Sequence, residues 1–495
     1  MAVVWRLLGY PPRSSPPPVE TDDIYPTHML DGADAIRGIV IVWTLRFNDV
    51  LDADRVHASL TKLLEIGDWR KLGGRLRLKT DKQLEIHVPQ TFTAERPAVS
   101  YSHETIGLDI EEHPLASTLP KATESPSIQR GSEDFQTFGA RKDAPAILDD
   151  FIYSDAPQIS LHITSFNNAT LVGLTFPHTL MDAMSQRALL RGWSLVLAEK
   201  ESEVPPLLGA KADAMCAAVE TDAEKEEFKL ERMRLRGWSM LTFALRFAWD
   251  VFWNRTVETR TIFLPSGVIY DLKRQAQEDL AQNQQHPVSV NDVLTAWIVR
   301  AVAASLPQPR PITVITAVNA RLRLSSLAQA SGVYIQNMVL ATYTFLSAKA
   351  TIGSLGSIAL ENRRHLTEQL TEPQVLALTR ELRSEAQSTG NPQVLCGQSD
   401  ALLMPFTNWT QADIIKSADF SPALVHVGET GQSRRNPPGS MVFHHVNAMR
   451  QSPFVRNMVV VLGKDHSDNY WLSGSLLPPT WVKIEEDVKR LSLIF

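Results

Sequence analysis

The stretch that most constrains this chain is residues 171–185, LVGLTFPHTLMDAMS. Its apolar first part predicts a buried strand, which Pro177 ends. A helix is predicted to follow, because large apolar residues then recur at every fourth position: Leu189, Trp193 and Leu197. His178 therefore lies where a strand ends and a helix begins, and Asp182 follows one helical turn later. A stiff strand end can hold an imidazole close to a reacting group.

The pattern from His178 to Asp182 has a plainer interpretation as well. With 13 histidines in the chain, a His-x-x-x-Asp pattern arises by chance about once. A histidine of this kind can also be a core residue that is hydrogen-bonded to the backbone. The rest of the chain has to decide between the two interpretations.

Size and charge limit the class of protein. A chain of 495 residues is too long for one ordinary core, so two large domains are expected. The hydrophobic content of 44% and the charged content of 21% are typical of a soluble globular protein. A net charge of −6, without a basic cluster interleaved with aromatic residues, argues against a nucleic-acid partner.

The cysteines and the amino terminus predict a cytoplasmic protein. Cys216 and Cys396 are the only cysteines, and they are too far apart in sequence for a zinc site or a disulfide framework. Met1–Tyr10 contains Arg6 and runs into a proline-rich segment, so it lacks the apolar core of a signal peptide. We also find no apolar stretch of the roughly 18 to 20 residues that a transmembrane segment needs.

Both halves of the chain mix predicted strands and helices, which indicates an α/β fold. Residues 158–166 alternate between apolar and polar, Asn167-Asn168 predicts a turn, and residues 170–176 return from it. Together they predict a hairpin whose second strand delivers His178. A later helix is predicted from Ser289 or Asn291, either of which is a suitable N-cap. The composition of residues 116–146 is that of a mobile surface insertion.

The aromatic segment 237–253, GWSMLTFALRFAWDVFW, has two interpretations. Three tryptophans and three phenylalanines in a helical span can mark a helix that lies in a membrane interface. The segment lacks a lysine-rich polar face, however, and Arg246 can pair with Asp250 at i,i+4. We therefore favour a helix that packs on its own protein, where it could border an apolar substrate pocket.

Five motifs occur in the order and with the spacing of one known family. They are His178–Asp182, Ser289–Trp297, Val318–Arg321, Tyr334–Asn337, and Thr407–Trp409 followed by Ala418–Phe420. With these motifs the chain resembles the BAHD acyl-CoA-dependent acyltransferases, in particular the fungal branch that decorates secondary metabolites. Two departures stand out. Gln336 replaces the family's glycine, and Ser421-Pro422-Ala423 replaces its Gly-Trp-Gly.

The resemblance implies two similar-sized α/β domains of the chloramphenicol-acetyltransferase type, with the active-site tunnel between them. The N-terminal acyltransferase domain, carrying the His-x-x-x-Asp motif, would span residues 1–205. A crossover linker with the aromatic helix would span 206–257, and the C-terminal acyltransferase domain 258–495. A monomer is expected.

The resemblance also implies roles for individual residues. His178 would be the general base, because a neutral imidazole can take the proton of an attacking hydroxyl. Asp182 would be structural and would pair with Arg321. Asp419 would be structural too, at the domain junction. Candidates for contacts with the oxyanion or the substrate are Thr407, Trp409 and Asn337.

The implied reaction is O-acyl transfer from acyl-CoA, with acetyl-CoA as the expected donor, to a hydroxyl of an apolar secondary metabolite of the terpenoid, polyketide or alkaloid type. Acyl-CoA would be a co-substrate, and neither a bound cofactor nor a metal is expected. Three alternatives stay open at this point. They are acyl transfer to an amine, a condensation-like reaction, and a non-catalytic descendant that binds a metabolite.

Overall fold

The computed structural model describes residues 13–222, 225–280, 287–429, 431 and 434–493. The predictions for Met1–Tyr10 lie outside these residues. The strands are β1 Asp23–Pro26, β2 Val40–Phe47, β3 Asp49–Leu51, β4 Arg75–Leu78, β5 Leu84–Val88, β6 Ser100–Thr105, β7 Ser127–Arg130, β8 Ser160–Ser165, β9 Thr170–Pro177, β10 Leu207–Leu208, β11 Glu258–Leu264, β12 Ile312–Asn319, β13 Val333–Tyr334, β14 Val339–Leu346, β15 Leu402–Asn408, β16 Leu424–Val427, β17 Met441–Ala448, β18 Met458–Lys464 and β19 Tyr470–Leu476.

The helices fall into two groups by length. The long helices are Ala53–Leu63, Ala183–Leu197, Gly237–Trp253, Ser266–Leu280, Val290–Ser305, Leu355–Gln369, Glu372–Thr389 and Pro478–Ser492. The short helices are Asp34–Arg37, Gln136–Gly139, Leu148–Ile152, Ala214–Glu220, Ser325–Ala328 and Ile414–Ser417. Within the described ranges, none of the helices combines the length and the apolarity that a membrane span requires.

Two large mixed sheets organise the molecule. The N-terminal sheet has the strand order β17-β2-β9-β8-β6, and the C-terminal sheet has the order β14-β12-β15-β18-β19-β11-β7. In the N-terminal sheet, β2 places alternate residues in a core with the helices Ala53–Leu63 and Ala183–Leu197, as the two-residue period of a strand requires. The mixed α/β fold is the one that the sequence predicts.

The two sheets exchange strands. β17 comes from the C-terminal half of the chain, yet it pairs with β2 in the N-terminal sheet. β7 comes from the N-terminal half, yet it pairs with β11 in the C-terminal sheet. The predicted boundaries at residues 205 and 258 therefore separate most strands of the two sheets, but not these two.

The same exchange corrects the interpretation of residues 116–146 as a mobile surface insertion. Phe135 and Phe138 in this segment are buried, and Gly139 lies against β9. A Cβ atom at Gly173 would be only 2.6 Å from the Cα atom of Gly139. The polar composition conceals an ordered connection, because its few apolar residues are the ones that face the core.

Several elements agree closely with the predictions. β8 and β9 form the predicted hairpin that leads to His178. The helix Val290–Ser305 is capped by Ser289, whose side chain accepts a hydrogen bond from the backbone N–H of Asp292. That cap decides between the two predicted N-cap residues, because Asn291 lies inside the helix.

The aromatic helix Gly237–Trp253 differs from the favoured interpretation. Of its side chains only Phe243 is buried, and Trp238 is 82% exposed. The predicted pairing of Arg246 with Asp250 is also wrong. Asp250 pairs with Arg310 instead, with its Oδ2 atom 2.7 Å from a guanidinium nitrogen. The carboxylate faces inward, where an arginine from outside the helix reaches it.

Candidate active site

The position of His178 is fixed by its backbone. The preceding strand, β9, lies between β2 and β8 and is buried along its whole length. The backbone N–H of His178 donates to the carbonyl of Ile39, just before β2, at 2.8 Å. Its own carbonyl accepts from Nδ2 of Asn337 at 3.0 Å. The residue is therefore held from both halves of the chain.

Burial favours the neutral form of the His178 imidazole. Burial lowers its pKa below the ordinary value, although its own carbonyl and the charge of Asp182 oppose the drop. Among the described residues, no partner makes a hydrogen bond to its buried Nδ1 atom. A neutral imidazole that no carboxylate holds is able to accept a proton.

Asp182 is buried and turned toward the backbone and Arg321. One carboxylate oxygen, Oδ2, accepts from Arg321 at 2.9 Å and from the backbone N–H of Met338 at 2.9 Å. The other, Oδ1, accepts from the backbone N–H and the hydroxyl of Ser185 at 3.1 and 2.9 Å. Burial by itself raises the pKa of Asp182, but the charge of Arg321 and these hydrogen bonds outweigh it and hold the pKa below the usual value.

Arg321 completes this contact across the two halves of the chain. Its second terminal nitrogen donates to the hydroxyl of Ser185 at 3.0 Å and to the carbonyl of Gln336 at 2.5 Å. Asp182 and Arg321 are thus in contact, as the sequence predicts, and the aspartate makes the pair with the arginine rather than with the imidazole. The pair joins the start of the helix Ala183–Leu197 to the segment that follows β12.

Asn337, a predicted candidate for contact with the oxyanion or the substrate, uses its side chain on two other groups in this structure. Both hydrogens of its side-chain amide are used, one on the carbonyl of His178 and one on Oδ1 of Asp31 at 2.9 Å. The same Asp31 oxygen also accepts from the backbone N–H of Asn337 at 2.8 Å. Asn337 is therefore a positioning residue for His178.

Asp31 is a functional candidate that the sequence analysis missed. It is buried, and its other carboxylate oxygen accepts from the backbone N–H of His28 at 3.0 Å. No motif marks it, because its partner Asn337 is 306 residues away along the chain. Only the fold brings the two together.

Gln336, which replaces the family's glycine, is accommodated by the linker. Its side-chain amide donates to Asp213 at 3.1 Å and accepts from the backbone N–H of Ala214 at 3.3 Å. Asp213 caps the short helix Ala214–Glu220. The side chain therefore ties the linker to the segment that carries Asn337, and its backbone carbonyl still serves Arg321.

Thr407 and Trp409 interact with each other. The indole N–H of Trp409 donates to the hydroxyl oxygen of Thr407 at 3.1 Å. The single N–H of the indole is therefore used on Thr407 in this structure, and the role of Trp409 at the oxyanion or the substrate stays a prediction. The hydroxyl hydrogen of Thr407 stays available, and both residues are partly exposed.

A buried aromatic group links Trp409 to the strand beside His178. The ring of Trp409 is nearly parallel to that of His444, with 6.3 Å between the ring centroids and 6° between the ring planes. Nδ1 of His444 accepts a hydrogen bond from Nε1 of Trp43 at 3.2 Å. Trp43 lies on β2, four residues after Ile39, a distance of about 13 Å along a strand. No sequence motif points to His444, which lies on the exchanged strand β17.

Asp419 is exposed and holds a turn. Its carboxylate accepts from the backbone N–H of Ser421 at 3.0 Å, and its own N–H donates to Ser194 at 2.9 Å. The next residue, Phe420, is buried between Phe47 and Trp193, at 5.1 and 4.9 Å between ring centroids. Ser421-Pro422-Ala423 thus follows an intact aromatic anchor.

Comparison with known proteins agrees with this geometry. The sequence profile described as the transferase family matches residues 148–420, more than half of the chain. The chain belongs to the BAHD transferase family. The predicted family and the predicted enzyme class, an acyl-CoA-dependent acyltransferase, are therefore confirmed.

Fungal members of the family align over nearly the whole chain. The chain is 36% identical to the O-acetyltransferase PaAT-2 of Phomopsis amygdali over 494 residues, with 96% of this chain and 99% of that protein covered. It is 35% identical to the acetyltransferase pyiB of Pyricularia grisea over 482 residues, with 96% and 95% covered. Both relatives span the linker as well as the two sheets.

Solved structures share the fold of this BAHD chain at much lower identity. F. sporotrichioides TRI101, in complex with coenzyme A and T-2, has a TM-score of 0.63 at 14% identity, with 94% of this chain and 97% of that chain covered. Vinorine synthase has a TM-score of 0.55 at 13% identity, with 97% and 95% covered. The predicted fold class is confirmed.

Proposed function

We propose that the protein is an O-acyltransferase that moves an acetyl group from acetyl-CoA to a hydroxyl of an apolar secondary metabolite, with His178 as general base. The observation that carries this proposal is the position of His178 directly after β9, where its backbone is held by contacts from both halves of the chain. Burial, which lowers the pKa of the imidazole, supports it. The names of the fungal relatives, which are acetyltransferases, support the choice of acyl group.

The reaction needs one proton acceptor and one donor to the oxyanion. The acceptor oxygen attacks the thioester carbonyl carbon while the imidazole of His178 takes its proton. The carbonyl electrons move onto oxygen, and we assign the hydroxyl of Thr407 as the donor to that oxyanion. Collapse breaks the C–S bond, and the imidazolium returns its proton to the thiolate, which gives the ester and CoA.

Asp182, Arg321, Asn337 and Asp31 act on this step by position. They fix the backbone on both sides of the imidazole, and none of them exchanges a proton with the substrate. Asp419 fixes the turn that leads into Phe420, away from His178. The monomeric state, the cytoplasmic location and the domain boundaries stay predictions.

The structures of TRI101 support the class of acceptor that we propose. TRI101 is seen with coenzyme A together with T-2 or deoxynivalenol, so the fold can hold the coenzyme and a small molecule at once. An apolar alcohol is the acceptor class that we assign to this chain.

The test measures the release of CoA thiol from acetyl-CoA with a panel of polycyclic alcohols. We expect His178→Ala to lower kcat/KM by about a hundredfold or more, since a general base contributes about 10²–10⁴. The control is His426→Ala, an exposed histidine for which we expect no change. Turnover that survives His178→Ala in a folded protein would contradict the assignment.

A further inference from the structure

The aromatic helix Gly237–Trp253 carries its apolar face on the outside. Three exposed tryptophans, two leucines and a phenylalanine lie along one side of it: Trp238, Leu241, Leu245, Trp249, Phe252 and Trp253. Their spacing of three and four residues places them on one stripe. This outer stripe is the reverse of the arrangement expected for a surface helix, whose apolar side normally faces the core.

The inner side of the helix holds the stripe outward. Phe243 is buried. The ring of Phe247 is stacked between Phe243 and Phe454, at distances between ring centroids of 6.0 and 6.3 Å. Asp250 pairs with Arg310 at 2.7 Å, and its backbone carbonyl accepts from Arg456 at 3.2 Å. The helix is therefore fixed in this orientation by both apolar and ionic contacts.

The charged side chains next to the outer stripe are cationic. The helix contains one acid, Asp250, which is used on the inner side. Arg246 is exposed beside the stripe, and Arg255 follows its last turn, with its guanidinium 4.8 Å from the ring centre of Phe252. On a chain whose net charge is −6, this local surface complements an anionic one.

We propose that the outer stripe binds the surface of an anionic lipid bilayer, lying parallel to it. Tryptophan is enriched at membrane interfaces because its ring is apolar while its N–H can stay hydrated. An apolar face that enters the acyl boundary, together with cations at the headgroups, is the combination that binds an interfacial helix.

The charge beside the stripe favours a bilayer over a second copy of the chain. A second copy would bring its own Arg246 and Arg255 to the same interface, where like charges oppose pairing. A bilayer needs no matching partner surface, and each side chain that enters it contributes separately.

The test is co-sedimentation of the full-length protein with phosphatidylcholine vesicles, with and without phosphatidylserine. We expect binding to the vesicles that contain phosphatidylserine and a decrease as salt is raised. The variant Trp238→Gln/Leu241→Gln/Leu245→Gln should lower the apparent partition by about tenfold or more, since three apolar side chains are removed from the stripe.

The matched control is Tyr270→Gln/Ile352→Gln/Val482→Gln, which changes three exposed apolar residues outside the helix and should bind like the wild type. Circular dichroism checks that both variants are folded. A wild-type protein that stays in the supernatant with both kinds of vesicle would overturn the proposal. So would a dimer in analytical ultracentrifugation that the stripe variant abolishes while vesicle binding is unchanged. Neither outcome depends on the acyl-transfer reaction.

Discussion

Two buried aspartate–arginine pairs hold two different loops of this molecule. Asp182 and Arg321 hold the turn that follows His178, and their side chains are 3% and 10% exposed. Asp49 and Arg434 hold the loop before β17, and their side chains are 0% and 11% exposed. Each aspartate also accepts hydrogen bonds from two backbone N–H groups, of Ser185 and Met338 in one case and of Gly428 and Gly439 in the other.

The electrostatics of the two carboxylates are alike. Burial raises the pKa of each, and the arginine with the backbone donors outweighs burial and lowers it below the usual value. What differs is the neighbour along the chain, because only Asp182 follows a histidine that a reaction can use. A buried ion pair by itself therefore does not indicate a function. The Asp182–Arg321 pair has a proposed function because it lies next to the imidazole of His178.

The largest expected effects come from breaking each pair. Asp182→Ala and Asp49→Ala should each lower the free energy of unfolding by about 3–5 kcal/mol, because each leaves a buried arginine without its partner. Only Asp182→Ala should also lower kcat/KM, by about a hundredfold, through displacement of the imidazole. Denaturant unfolding and CoA release at low temperature measure the two effects separately.

Asp49→Ala serves as the matched control for that measurement. It should keep the kcat/KM of the wild type as long as the protein is folded. An equal loss of kcat/KM in both variants would show that general loosening, rather than the position of His178, explains the loss in Asp182→Ala.

A smaller effect is expected from the second hold on His178. Asp31→Ala leaves the buried donors of Asn337 without an acceptor, so we expect a loss of about 1–3 kcal/mol in the free energy of unfolding. We also expect kcat/KM to fall by about tenfold with little change in KM, since His178 is displaced and substrate contacts are kept. Unchanged kcat at full folding would remove Asp31 from the positioning group.

The smallest effect is a change in the free energy of unfolding per pH unit. In this pH dependence the buried histidines of β17 differ from the two carboxylates. Burial lowers the pKa of His444 to about 4 and of His445 to about 3, so below pH 6.5 the unfolded chain binds more protons than the folded one. Stability should then fall as the pH falls, by up to about 1.4 kcal/mol per pH unit for each histidine. The carboxylates, whose folded pKa values are lowered, keep their contribution above about pH 4 and lose it only as the pH falls through those lowered values.

Denaturant unfolding at a series of pH values between 7.5 and 5 measures this loss of stability. His445→Leu should reduce the slope by up to about 1.4 kcal/mol per pH unit at the acid end of this range, because one protonation on unfolding is removed. A slope that this substitution leaves unchanged would assign the acid sensitivity to other groups.

Much of the fold was accessible from the sequence. The hairpin of β8 and β9 and the N-cap at Ser289 are local features, which turn residues and capping residues determine. The exchanged strands β7 and β17 were not accessible, since pairing between strands that are distant in the chain leaves no local pattern. For the same reason the sequence placed residues 116–146 at the surface.

At the candidate site, the sequence by itself determined the chemistry: which residues can take a proton, carry a charge or donate to an oxyanion. His178, Asp182, Arg321 and Thr407 were all identified from the motifs that carry the family resemblance. The tertiary structure decided how these groups are used. It gave both amide hydrogens of Asn337 to other partners, directed the indole of Trp409 to Thr407, and brought in Asp31 and His444. Hydrogen bonds depend on distance and direction, and these are properties of the folded chain. For the aromatic helix, likewise, the apolar residues are evident from the sequence. Only the structure shows that Asp250 and Phe243 face inward, so that the apolar stripe lies on the outside.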